Sequence, residues 1–241
     1  MKILLIAGHG AGDPGATAQH GGRLYKEADE TRALAGRLVT LLGKAGVEAD
    51  TYPLLRNAFD DYKTEALNAR AKFRDYDYVL ELHFNAFQAD PGNGKTKGVE
   101  CYVTTSEAGT KVEELICRRI TALGFTNRGV KRKNFAVISR AKTAGVSAAL
   151  LEVCFLDDAD DMKLYEKNRE KVAQAICDGI CEGFGVAAGA SPRPTAPIGS
   201  ISKTAREIVQ EKAGLEDKTM DYLAAYQWGR ELLEKLAAAM T

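Results

Sequence analysis

The 241-residue chain has three histidines, few enough to weigh one by one. His9 follows the apolar run Ile3-Leu4-Leu5-Ile6. It opens a loop, Gly8 to Ala16, whose glycines and proline suit a sharp turn. His83 lies in the run Asp77 to Ala86, where period-two alternation puts Val79, Glu81, His83 and Asn85 on one face. A buried parallel strand normally reads as continuously apolar, so polar groups at its carboxyl end call for a purpose. His20 sits in a Gly-rich stretch and reads as exposed. Two histidines and one carboxylate would meet the needs of a zinc hydrolase, which holds the metal by three protein groups and leaves a position for water. Glu27 starts a helical pattern near the loop that carries His9, with Asp29 and Glu30 as rivals. A helix N-terminus also favours negative charge without any metal.

Glu152 is a second informative carboxylate. Its surroundings, Ala148-Ala149-Leu150-Leu151-Glu152-Val153-Cys154-Phe155, are otherwise apolar. An ionised glutamate there is costly unless paired, protonated or beside a cation. Beside zinc it could take a proton from water and pass it to a leaving amine, as amide hydrolysis requires.

The elements that must position these groups follow from the pattern of apolar residues. Strands are expected at Ile3–Ile6, Val47–Tyr52, Asp77–Ala86, Val99–Thr104, Phe135–Ile138 and Ser147–Phe155. Helices are expected at Tyr25–Gly43, Ala58–Arg74, Ala108–Leu123 and Asp158–Phe184. The stretch Arg128 to Lys133 reads as a basic turn, either solvated or at the rim of the site. Alternating strands and helices argue for an α/β fold with a mainly parallel central sheet flanked by helices.

Composition shifts at Gly185, and residues 185–200 hold three of the six prolines, as a linker would. Residues 1–184 then form the main domain. Residues 201–241 form a small helical module broken near Gly214, with an apolar stripe of Leu223, Tyr226, Leu233, Leu236 and Met240. Tyr222, Tyr226 and Trp228 are expected to pack a helical interface. So short a piece is marginal alone, so it is expected to dock, dimerise or bind something.

Lys plus Arg equals Asp plus Glu at 33 each, so no global charge draws the chain to nucleic acid or membrane. No segment reaches the roughly 18 apolar residues of a membrane span. The first residues lack a signal peptide's apolar region and cleavage site, so synthesis in the cytoplasm is expected. The five scattered cysteines are expected to be reduced and mostly core-filling.

Four blocks taken in order resemble the zinc-dependent N-acetylmuramoyl-L-alanine amidases of type 3: Gly8 to Ala16, Glu27-Ala28-Asp29, His83-Phe84-Asn85-Ala86 and Leu150 to Leu156. Arg128-Gly129-Val130-Lys131 with Phe135-Ala136-Val137 adds a fifth block, and the likeness covers about residues 1 to 184. The resemblance implies that His9, Glu27 and His83 bind zinc and that Glu152 is the catalytic carboxylate. It implies cleavage of the amide between the lactyl group of N-acetylmuramic acid and the first L-alanine of the peptidoglycan stem. With the tail, it implies a phage or prophage endolysin that reaches the wall once the membrane is breached. The tail is then expected to bind the wall, with Tyr222, Tyr226 and Trp228 able to contact a glycan, or to self-associate as a homo-oligomer. Deleting residues 190–241 and measuring wall pull-down and solution mass separates the two. Four departures stand out: Ala11 and Cys154 where glycine is common, Glu81 where serine is usual, and Asp157-Asp158 in place of Ser-Asn. The alternatives are a zinc peptidase acting within the stem peptide and a wall-binding protein without catalysis. The glycine loop lacks a useful phosphate-binding pattern, which sets aside a nucleotide-binding α/β protein.

Overall fold

Ile3 to Ala7 are all buried because both faces of their strand are covered. They form most of β1 (Lys2–Ala7). The chain in this computed structural model, which describes residues 1–186, 203–216 and 229–240, then makes a hairpin, β2 (Thr17–His20) and β3 (Arg23–Lys26). The hairpin was not expected from the sequence, which shows a Gly-rich stretch there. It delivers the chain directly into α1 (Glu27–Lys44). Next come β4 (Glu48–Thr51), α2 (Ala58–Lys63), α3 (Leu67–Ala71) and β5 (Tyr78–Asn85). The single helix expected over 58–74 is thus broken, with Glu65 (φ 59°) and Lys72 (φ 45°) in left-handed conformations that end each piece.

The rest of the sheet is β6 (Val99–Val103), α4 (Lys111–Thr121), β7 (Asn127–Arg132), α5 (Ala136–Thr143), β8 (Ser147–Phe155) and α6 (Ala159–Phe184). Two expectations are corrected here. The expected strand 135–138 opens α5, whose buried Val137, Ile138 and Ala141 follow helical spacing. Four apolar residues are too few to distinguish the two periods. The expected basic turn is strand β7, held by β6.

The six-stranded sheet has the order β4-β1-β5-β8-β6-β7. Its pairs are parallel except β6–β8, which is antiparallel. The fold is therefore α/β with a mainly parallel sheet. α1, α4 and α6 supply one core around Leu5, Leu80 and Leu151. α2, α3 and α5 supply a second around Leu4, Val79 and Ala148. The carboxyl ends of β1, β5 and β8 lie side by side, the edge where open α/β sheets bind ligands. No described helix is long and apolar enough to cross a membrane.

The chain divides into two compact units, Met1–Pro192 and Arg193–Thr241. In the second, helix Lys203–Ala213 and helix Gly229–Met240 share a small core of Val209, Leu233 and Ala237, flanked by Leu236 and Met240. Most of the expected linker lies outside the described residues, as do Tyr222, Leu223, Tyr226 and Trp228.

Candidate metal centre

The glycine loop brings His9 over the end of β1, and the β2–β3 hairpin returns the chain so that Glu27 begins α1 beside it. Glu27 is anchored by its neighbours: its backbone N–H donates to the Ala16 carbonyl, and its Oε2 accepts from the Ala16 N–H at 2.9 Å. Oε1 accepts from the Phe84 N–H at 3.0 Å, which joins the helix start to β5. Glu27 is 4% exposed. Its carboxylate bridges two rings, with Oε2 3.1 Å from His9 Nε2 and Oε1 2.9 Å from His83 Nδ1. Ligand atoms of His9, Glu27 and His83 all lie within 4.8 Å of one another, the one such cluster found among the described residues. Asp29 and Glu30, the rivals for Glu27, take no part in it, and Glu30 instead pairs with Arg169.

Close backbone approach makes this possible. A Cβ on Gly8 would stand 2.4 Å from the His83 ring, and one on Gly15 would stand 2.7 Å from Glu27 and His9. His9 itself has φ 61°, a left-handed conformation seldom adopted by a residue with a side chain. The guanidinium of Arg32 holds this turn from below, donating to the carbonyls of Gly8 (3.0 Å), His9 (2.8 Å) and Leu54 (2.7 Å).

Each histidine uses its other nitrogen on a further carboxylate. His9 Nδ1 lies 2.8 Å from Asp13, which in turn accepts from the Gly15 N–H and the Asn57 amide. His83 Nε2 lies 3.3 Å from Glu81. Burial works against a charged imidazole, but the carboxylates outweigh it and raise both histidines above their ordinary range. Burial likewise opposes ionisation of Glu27, yet the two rings hold its carboxyl well below the usual range. The donor set fits a divalent cation: two imidazole nitrogens and an ionised carboxylate converge where a positive charge is needed.

Glu152 stands beside His83 across the β5–β8 pair. Both line a cavity of about 260 Å³ with Gly8, His9, Glu81 and Leu150 and with Phe59 and Phe135 at its apolar walls. Burial pushes the Glu152 carboxyl up to about 7, offset in part by His83. Its Oε2 is buried with no hydrogen-bond partner among the described residues. All four residues singled out from the sequence therefore meet at one site. Cys154 packs instead into the larger core. All five cysteines are free thiols, and four are buried. His20 is half-buried rather than exposed, with Nε2 2.9 Å from the Leu156 carbonyl.

Sequence reasoning missed Asp13, Asn57 and Arg32. Asp13 lies inside the glycine loop and four residues from His9, a spacing that signalled it. Asn57 and Arg32 reach the site through loop contacts that no local pattern announces.

A family model described as N-acetylmuramoyl-L-alanine amidase, Amidase_3, matches residues 3–182. N-acetylmuramoyl-L-alanine amidase LytC of Bacillus subtilis is 29% identical over 181 residues, 73% of this chain and 34% of LytC. The chain thus spans about a third of that relative's length. The catalytic domain of CwlV, an N-acetylmuramoyl-L-alanine amidase from Bacillus (Paenibacillus) polymyxa var. colistinus, superposes with a TM-score of 0.62 at 26% identity, covering 77% of this chain and 99% of CwlV's. The catalytic domain of CD27L endolysin, targeting Clostridia difficile, gives 0.59 at 26% identity, covering 76% and 97%. With three-quarters of its length fitted by that one model, and the fold to match, the chain belongs to the N-acetylmuramoyl-L-alanine amidase family.

Proposed function

We propose that this chain is a zinc-dependent peptidoglycan hydrolase that cleaves the amide between the lactyl group of N-acetylmuramic acid and L-alanine. The observation that carries the reading is the convergence of His9, Glu27 and His83 at a cavity that Glu152 also lines. His9, Glu27 and His83 would hold the zinc. Zinc in such a site supplies a Lewis acid for the carbonyl and brings the pKa of water toward neutrality.

The chain's own groups do the rest. Asp13, on the outer nitrogen of the His9 ring, leaves the other nitrogen toward Glu27. Glu152, which lines the same cavity and has a buried oxygen without a hydrogen-bond partner among the described residues, is poised to accept a proton from water and return it to the departing alanine nitrogen. Phe59, Phe135 and Leu150 give the cavity apolar walls beside the reacting groups.

Mass spectrometry of peptidoglycan digested by the protein tests this reading. New L-alanine amino termini and free lactyl groups are expected. New termini within the stem peptide would favour a zinc peptidase instead, and an undigested wall would favour a binding protein. The likeness to an endolysin catalytic domain favours a lytic setting as well. Its expected signature is a drop in culture turbidity that follows expression only once the membrane is permeabilised.

A further inference from the structure

Glu81 precedes His83 by two positions on β5, so alternation brings both side chains to one face. It is 5% exposed and lines the same cavity as His83 and Glu152. Its Oε1 lies 3.3 Å from His83 Nε2, while its Oε2 is buried and has no hydrogen-bond partner among the described residues. A buried carboxylate oxygen left so is costly unless positive charge stands nearby.

The His83 ring is thus addressed from both sides. Nδ1 is turned to Glu27 at 2.9 Å, and Nε2 to Glu81. A neutral imidazole offers one nitrogen as an electron-pair donor only when the proton sits on the other. The His9 ring shows the same division, with Nε2 toward Glu27 and Nδ1 toward Asp13. With a cation bound, Glu27 would face two rings whose inward nitrogens can each offer an electron pair and whose outward nitrogens each have a carboxylate to receive their proton. Glu81 itself stays outside the three-residue ligand cluster.

We propose that Glu81 is a positioning residue of the metal centre: it accepts the Nε2–H of His83, fixes the tautomer that leaves Nδ1 for the metal, and tightens binding of a divalent cation. This rests on the zinc reading above. Outer carboxylates that orient a ligating histidine raise its basicity, and their loss typically weakens metal affinity about 10–100-fold. Glutamine at this position keeps an acceptor but no charge, whereas leucine keeps neither.

The test uses the full chain as wild type, Glu81→Gln and Glu81→Leu. Zinc dissociation constants are read by competition with a chromophoric chelator, and the zinc-free melting temperature monitors the fold. Imidazole nitrogen NMR of the zinc-loaded wild type reads the His83 tautomer. The expected result is a proton on Nε2, zinc bound about 10–100-fold more weakly by Glu81→Leu, and an intermediate loss in Glu81→Gln, with the zinc-free fold kept. Should the leucine variant unfold, the near-isosteric glutamine variant decides. Wild-type affinity in the folded variants, metal on Nε2, or zinc lost only in step with the fold would each overturn the role of Glu81. Wild-type protein that binds no zinc would overturn the zinc reading and this inference together. Zinc held equally by all three proteins removes the role of Glu81 alone.

Discussion

Glu100 and Glu152 face each other across the antiparallel pair β6–β8. They are the same residue type on adjacent strands, yet their surroundings differ. Glu100, 2% exposed, accepts from Arg128 at 2.6 Å, the Tyr102 hydroxyl and the Asn85 amide at 2.8 Å each, and the Lys131 ammonium. Burial acts against its charge, but these donors prevail and lower its pKa. Glu152 has an unpartnered buried oxygen, and burial prevails, holding its carboxyl near 7. The contrast teaches that burial alone does not define a carboxylate's work. The supply of donors separates one that locks two strands from one that can exchange a proton near neutral pH.

Breaking the proton-exchanging member has the largest expected effect. Glu152→Gln is expected to lower kcat by about 10²–10⁴-fold while zinc content stays at the parental level. Turnover kinetics on purified peptidoglycan, with elemental analysis of the same samples, check this. Parental turnover would erase the distinction between the two glutamates.

The same variant sharpens the contrast through stability in the zinc-free protein. The Glu152 carboxyl is raised from 4.5 to about 7, so the folded state binds the proton more tightly than the unfolded chain. That contribution is complete below about 4.5 and is lost as pH rises toward 7 and beyond. Glu152→Gln is therefore expected to gain stability relative to wild type between pH 4.5 and pH 8, by up to about 3 kcal/mol, in denaturant titrations at the two pH values.

Glu100 has the opposite sign. Its lowered pKa contributes stability that is present above its unfolded value and is lost as pH falls. Glu100→Gln is expected to cost about 1–3 kcal/mol at pH 7, or several degrees of melting temperature for a domain of this size. The loss is expected to shrink in acid. Arg128→Ala has the smallest expected effect, about 1 kcal/mol or less, because Arg128 is partly exposed and Glu100 keeps its other partners.

Much of this site is visible in the chain itself, for a physical reason. His83, with Glu81, and Glu152 interrupt runs that are mostly apolar, and a polar group in such a run must be satisfied by something long-range. His9 and Glu27 are marked by the turn residues and helix start around them. The alternation of strands and helices likewise announces the α/β class. The Glu100 cluster is far less legible. It joins β6 to β7 by pairs about thirty residues apart, Glu100 with Arg128 and Lys131, and nothing local links them. That β7 is a strand and α5 a helix depends on pairing and packing partners that a four- to six-residue window does not contain. The antiparallel entry of β6 beside β8 is a matter of topology rather than propensity. Arg32 is hidden for a similar reason: its guanidinium serves backbone carbonyls, which every residue has.

His9, Glu27 and His83 are proposed to hold a zinc ion beside Glu152. X-ray absorption spectroscopy of the purified protein, with zinc quantified per chain, tests it most directly. About one zinc per chain is predicted, bound by nitrogen and oxygen only, with distances near 2.0–2.2 Å. Protein that takes up no zinc, or zinc bound by sulfur from one of the five cysteines, would rule out this metal centre.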